Sequence, residues 1–262
     1  MNRELTGLVI KTVNIGESDR LITVFTNELG VVSVMVRGAR SLKSRKMSST
    51  MQFCYSKLVL QQRGEYYYLK ESELIENFYG IRNSLEGLAL AGYIAEVLSD
   101  VTVAEPEPDL LRLSLNTLYA ISMSKYPLDR IKAAFEIRAA AILGFMPDVS
   151  SCSFCGQREG AFYFDIMGGS LLCRECKLSL EKKHAEPENP HESRIICMLS
   201  ETAKVALEYC VYAPLEKLFS FNVPKEDMEL FAKATESYIV NQLERSYKTL
   251  DFYKSLIGTV EI

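Results

Sequence analysis

The run CSFCGQREGAFYFDIMGGSLLCREC, from Cys152 to Cys176, constrains the fold of this chain more than any other stretch. Two Cys-x-x-Cys pairs stand with 17 residues between them. Each pair presents two thiolates from one tight turn, and a second pair roughly 15–20 residues later completes a tetrahedron around one ion. The spacing predicts a site of Cys152, Cys155, Cys173 and Cys176, with Zn²⁺ the ion that suits four thiolates. Between the pairs, AFYFDI (161–166), a Gly168-Gly169 turn and SLLC (170–173) read as a hairpin. Redox Cys-x-x-Cys motifs occur singly at a helix start, so the doubled pattern points away from them. Four thiolates leave no open position for water, which a catalytic zinc keeps. His184 and His191 lie outside the motif. The metal is therefore expected to be a structural strut, and the function must be sought elsewhere. Cys54, Cys197 and Cys210 sit in apolar runs and are expected to be inert core thiols.

The 262 residues suffice for two or three modest domains. No apolar run approaches the roughly 20 residues that span a bilayer. The opening MNRELTGLVIKTVNIGE has no basic segment followed by an apolar core. A cytoplasmic protein without a membrane span is the expectation, and the odd cysteine count fits a reducing compartment. The net charge of −4 hides an asymmetry: residues 1–80 carry 11 Lys and Arg against 8 Asp and Glu. Exposed charges are screened beyond about 8–10 Å, so a locally basic surface can bind an anion on an acidic chain.

Residues 1–75 read as β structure. Leu8, Ile10 and Val13 mark a first strand, LITVF (21–25) a second, VVSVMV (31–36) a third, FCYSKLVLQ (53–61) a fourth and YYYL (66–69) a fifth. Gly30, in the NELG turn, is expected at positive φ. Five short strands in this length suit a small barrel, either an OB-fold or an SH3-like one. After Gly80 the periodicity becomes helical: helices are expected to Asp100, over 110–122, over 127–143, and then over 195–212 and 224–247. AEPEPD (104–109) and AEPENPHES (185–193) read as breaks, and Pro224 as the first residue of the last helix.

RGARSLKSRKMSS (37–49) joins the third and fourth strands. Arg37, Arg40, Lys43, Arg45 and Lys46 stand there without one acid, among serines and a glycine that suggest a flexible, donor-rich loop. Such a loop over a barrel can follow a phosphate backbone, although a solvated loop without a partner has the same composition. Strand alternation places Tyr66 and Tyr68 on one face and Tyr67 on the other, so one face can stack bases while the other is core.

Several pieces together resemble the RecO family of bacterial recombination mediators. TGLVIKTVNIGESDRLITVFTNELGVVSVMVRGAR carries the family-like T-x-G-x-V, G-E-x-D-x-L, T-x-E-x-G and G-A-R elements. RGEYYYLKESELIENF resembles the fifth strand and the exit into helices, and AAFEIRAAAILGFMPDVSSCSFCG with GGSLLCREC resembles the branch that bears zinc. The resemblance implies a multidomain α+β chain: an N-terminal five-stranded OB-fold barrel (1–79) and a mainly α-helical remainder (80–262), with a four-cysteine zinc finger inserted at about 150–180. It implies DNA repair without catalysis. Such proteins bind single- and double-stranded DNA, anneal complementary strands, contact the C-terminal tail of single-stranded DNA-binding protein (SSB), and with RecR help load RecA. Under it Arg37, Arg40, Lys43, Arg45 and Lys46 become the DNA-contacting residues, with Arg20 beside the G-E-x-D motif. An acidic tail with a hydrophobic end needs an apolar pocket among cations, and Arg130, Lys132 and Arg138 around Phe135 are expected to provide it.

Two other classes stay open. A nuclease would need clustered carboxylates for Mg²⁺; ESELIE (71–76) and KEDMEL (225–230) hold acids but read as helix-start and solvated-face charges. No P-loop, HExxH or GxSxG pattern is present. A protein-interaction scaffold would leave the basic loop empty.

Overall fold

The computed structural model describes residues 2–41, 44, 46–101, 106–184 and 194–258. The chain divides into two compact units, Met1–Lys125 with Tyr247–Ile262, and Tyr126–Ser246.

In the first unit five strands, β1 (Asn2–Ile15), β2 (Asp19–Thr26), β3 (Gly30–Val36), β4 (Tyr55–Arg63) and β5 (Tyr66–Glu76), close into a barrel in the order β1-β2-β3-β5-β4. This is OB-fold topology, and it settles the choice of barrel. The long β1 pairs with both β2 and β4, and a bulge between Val9 and Lys11 lets it bend from one to the other. The barrel closes where β3 and β5 run parallel, with Val34 opposite Tyr67 and Met35 opposite Tyr68. Strand alternation sends Leu5, Val9, Ile22, Val24, Val34, Val36, Leu58, Leu60 and Leu69 inward to form the core. Gly30 has φ 63° and follows a turn that Thr26 closes, its hydroxyl donating to the Gly30 carbonyl at 2.9 Å.

ESELIE is strand and not a helix start: β5 continues to Glu76, with Lys57 opposite Glu73 and Ser56 opposite Leu74. Pairing with β4 overrides the helical reading of its charges. Two helices follow, α2 (Leu85–Asp100) and α3 (Pro108–Met123). Before α2, a Cβ on Gly80 would collide with the Ser122 carbonyl, so that turn needs glycine. The chain's final described helix also belongs to this unit. Glu96 accepts from the Thr249 backbone N–H at 3.0 Å and from its hydroxyl, and Tyr93 meets Tyr247 edge to face at 5.6 Å.

In the second unit, α4 (Leu128–Ile142) leads into β6 (Asp148–Cys152), β7 (Phe162–Asp165) and β8 (Ser170–Cys173), then a helix at Arg174–His184. The helix expected over 195–212 begins instead as an edge strand, β9 (Ile196–Leu199), which pairs with β7 in a sheet of order β6-β8-β7-β9. Ser200 then caps the helix Glu201–Tyr212 by accepting the Ala203 N–H at 3.1 Å. The helix expected over 224–247 is Lys225–Gln242, with Pro224 as its cap residue rather than its first. It stops because Glu244 adopts φ 51°, and the separate helix Lys248–Ile257 begins beyond it, in the first unit. We number these helices α5 (174–184), α6 (201–212), α7 (225–242) and α8 (248–257). Among the described residues no helix is long and apolar enough to cross a membrane.

Candidate nucleic-acid interface and metal centre

From Lys46 on, the end of the basic segment is folded more firmly than its composition suggests. Lys46–Ser49 form a single helical turn, α1. Thr50 donates its hydroxyl to the Lys46 carbonyl at 2.6 Å, Ser49 and Ser72 share a hydrogen bond of 2.7 Å, and the Ser56 hydroxyl reaches the Ser49 carbonyl at 2.9 Å. Ser49 and Thr50 are buried. Through Ser49 this end of the segment is held onto β4 and β5.

The expected DNA residues divide by what they touch. Lys43 and Arg45 lie outside the described residues. Arg20, on β2, donates to the Thr50 carbonyl at 3.3 Å, and Arg40 ties its turn to the Gly16 carbonyl at 2.8 Å. Arg37 and Lys46 line a concavity of about 170 Å³ beside the β3–β5 seam. Its other walls are Arg63, Lys70, Tyr68, Gln61, Met35 and Leu69. Four cations meet there, and no carboxylate is among the lining residues.

Tyr68 sits at the middle of this cluster. The guanidinium carbons of Arg37 and Arg63 lie 5.3 and 5.4 Å from its ring centroid, within cation–π range. Arg63 also donates from Nε to Gln61 Oε1 at 2.9 Å, which sets its plane. Lys46 Nζ donates to the Leu69 carbonyl at 3.2 Å. Lys70 is the extra residue of a bulge, since Val59 pairs with Glu71 but Leu60 pairs with Leu69. The alternation expected for the tyrosines holds: Tyr67 packs on the barrel core, Tyr68 is half-buried, and Tyr66 is 70% exposed.

Sequence reading missed Arg63 and Lys70. Arg63 stands at the tip of the β4–β5 hairpin, and the only signal was its place in the QRGE turn. Lys70 reaches the site through a bulge, which no local pattern announces.

The helix expected to dock an acidic tail requires a correction. In α4, Phe135 is fully buried and Lys132 is 4% exposed, so neither belongs to a surface that a peptide can reach. Lys132 Nζ lies 2.8 Å from Glu136 and 2.7 Å from Glu236. Burial pulls this ammonium down, but the two carboxylates outweigh it and hold it protonated. Burial pushes the Glu136 carboxyl up against the pull of Lys132. Arg138 donates to the Cys210 and Ala213 carbonyls at 2.7 and 2.5 Å, closing the C-terminal end of α6. Arg130 lies over Tyr126 and Phe221 and donates to Asn222 at 2.9 Å. The residues expected to form that pocket belong to a helix packed on both α6 and α7.

The four cysteines of the motif do converge. Their sulfurs lie within 4.8 Å of one another, and among the described residues no other group of three or more His, Cys, Asp or Glu is so arranged. Cys152 ends β6, Cys155 follows in a turn, Cys173 ends β8 and Cys176 lies in the first turn of α5. The turn is closed by Gly156 N–H to the Cys152 carbonyl and Cys152 N–H to the Gln157 carbonyl, at 2.9 and 2.8 Å. A tetrahedral thiolate site with Zn–S bonds of about 2.3 Å needs sulfurs about 3.8 Å apart. Cys155 and Cys173 already stand at 3.7 Å. The Cys173 N–H donates to Cys152 Sγ at 3.3 Å. Burial pushes the Cys152 thiol up, yet the backbone N–H groups of Cys173, Cys155 and Phe154 outweigh it and hold the thiol down at about 6. The donor set thus fits a soft divalent ion. Cys54, Cys197 and Cys210 are buried, as expected of core thiols.

An OB-fold barrel with a cation-lined aromatic face, in one chain with a unit that bears a four-cysteine knuckle, defines a class of nucleic-acid-associated protein. The chain belongs to the RecO family. A model described as Recombination protein O N terminal matches residues 1–78, and one described as Recombination protein O C terminal matches residues 82–251. It is 36% identical over 253 residues to the DNA repair protein RecO of Acetivibrio thermocellus, covering 96% of both chains. It is 30% identical over 262 residues to the DNA repair protein RecO of Desulforamulus reducens, covering 97% of this chain and 96% of the relative. The corresponding protein of Caldanaerobacter subterraneus is 28% identical over 250 residues, with 95% and 96% covered.

Proposed function

We propose that this chain is a DNA repair and recombination mediator that binds single- and double-stranded DNA through its barrel and performs no catalysis of its own. Its membership of the RecO family and the names of its relatives support this reading. The observation that carries it is the convergence of Arg37, Lys46, Arg63 and Lys70 around Tyr68 with no lining carboxylate. Such a face attracts phosphates whatever the base sequence and releases counterions on binding. Lys43 and Arg45 extend the basic run, while Arg20 and Arg40 support its shape.

The family assignment further suggests annealing of complementary strands and, with RecR, loading of RecA on SSB-coated DNA in the cytoplasm, at the nucleoid. The SSB tail remains a proposed partner. Of the residues first assigned to it only Arg130, beside Tyr126 and Phe221, keeps a cation next to partly exposed rings. Zn²⁺ is the proposed occupant of the four cysteines. When bound it would supply the link between β6, β8 and α5, and the closed thiolate shell gives it no open position for chemistry.

A nuclease is the competing reading. Glu4, Glu71 and Glu73 line a second concavity on the barrel, but Lys57 Nζ lies 2.5 Å from Glu4 and occupies the place a cation would take. The test is incubation of labelled single strands and duplexes with Mg²⁺. Intact strands, bound in a salt-dependent and sequence-independent way, are expected. Turnover of the strands would replace the mediator reading with the enzymatic one.

A further inference from the structure

We propose that the concavity at the β3–β5 seam takes one unstacked nucleotide, with Tyr68 as the specificity residue that favours single strands over duplex. This deepens the DNA-binding reading above and rests on it. A face that only tracked phosphates would need cations alone. This one has the apolar side chain of Met35, a half-buried ring, an amide and four cations around about 170 Å³. That combination matches a base joined to its phosphate.

The parts have separate roles. Arg37, just after β3, and Arg63, at the end of β4, lie over the Tyr68 ring, so an entering base meets a stack of guanidinium on ring. Gln61 spends its Oε1 on Arg63, which leaves its amide N–H groups as donors toward a base edge. Lys46 is anchored through the Leu69 carbonyl, and Lys70 is turned outward by the bulge; both suit the flanking phosphates. A base paired in a duplex is stacked above and below and cannot enter. A single strand has bases free to do so, and stacking on protein rings tolerates any sequence.

The test places 2-aminopurine within a single-stranded oligonucleotide and follows its fluorescence on titration with the full chain, beside anisotropy with a single strand and a duplex. Wild type is expected to change the 2-aminopurine signal and to prefer the single strand. Tyr68→Leu, with the thermal transition checked against wild type, is expected to abolish that change and to weaken single-strand binding about ten-fold, with duplex binding within two-fold. Tyr68→Phe is expected to restore both. Wild type that binds single strands without any 2-aminopurine change, and with the same affinity as duplex, overturns the inference while leaving the DNA-binding reading in place. Equal losses for single strand and duplex in a folded Tyr68→Leu also overturn it. Absence of binding to either DNA by wild type removes the DNA-binding reading itself, and this inference with it.

Discussion

Asp19 Oδ1 accepts the backbone N–H of Gly38 at 2.9 Å and so ties the start of β2 to the start of the basic segment. That N–H is the main cause that holds the Asp19 carboxyl below its usual value of 3.8, with the Ser18 hydroxyl next and Arg37 adding to it. The sign is that of a depressed acid: the tether is complete above the ordinary carboxylate value and is lost as pH falls through the lower folded one. An NMR titration of the Gly38 amide shift is expected to inflect below 3.8. An inflection at or above that value would show that the bond does not form in solution.

The second unit should depend on its buried charges. Lys132→Met leaves Glu136, fully buried, without the cation that compensates it. Removing one partner of such a pair is expected to cost about 3–5 kcal/mol. Adding Glu136→Leu should recover much of that loss, because Glu236 is partly exposed and can be solvated. Urea unfolding of the two variants checks this, and a single variant as stable as wild type would rule out a compensating role for Lys132.

Removal of the metal should act on folding and not on a chemical step. Zinc held by four thiolates contributes on the order of 10–16 kcal/mol to local folding in small modules. Chelation, or Cys152→Ser, is expected to unfold the knuckle around β6 and β8 and to lower the melting temperature. Metal analysis should give one Zn²⁺ per chain before treatment. Protons compete for the thiolates, so release should rise as pH falls. A metal-free chain that melts as wild type does would refute the strut.

What the sequence discloses follows the range of the forces involved. The five barrel strands and the cysteine spacing follow local patterns, although β5 runs on to Glu76 through charges that read as a helix start. Strand β9 does not, because Ile196–Leu199 is strand only by pairing with β7. Arg63 and Lys70 join Arg37 through barrel closure and a bulge, neither of which has a local signature. The misplaced tail dock has the same origin. Lys132 looks solvated on a helical wheel, and its carboxylate Glu236 is 104 residues away in sequence.

The central claim is that the barrel binds DNA through the cation cluster around Tyr68. The most direct measurement is fluorescence anisotropy of a labelled single strand across a salt series, with wild type beside the variant in which Arg37, Lys46, Arg63 and Lys70 are all alanine. Each phosphate contact on a single strand contributes about 0.7 to the slope of log affinity against log salt, so the account predicts a slope lower by about 3 in the variant. An unchanged slope in a folded variant would take these four residues, and the concavity they line, out of the DNA site.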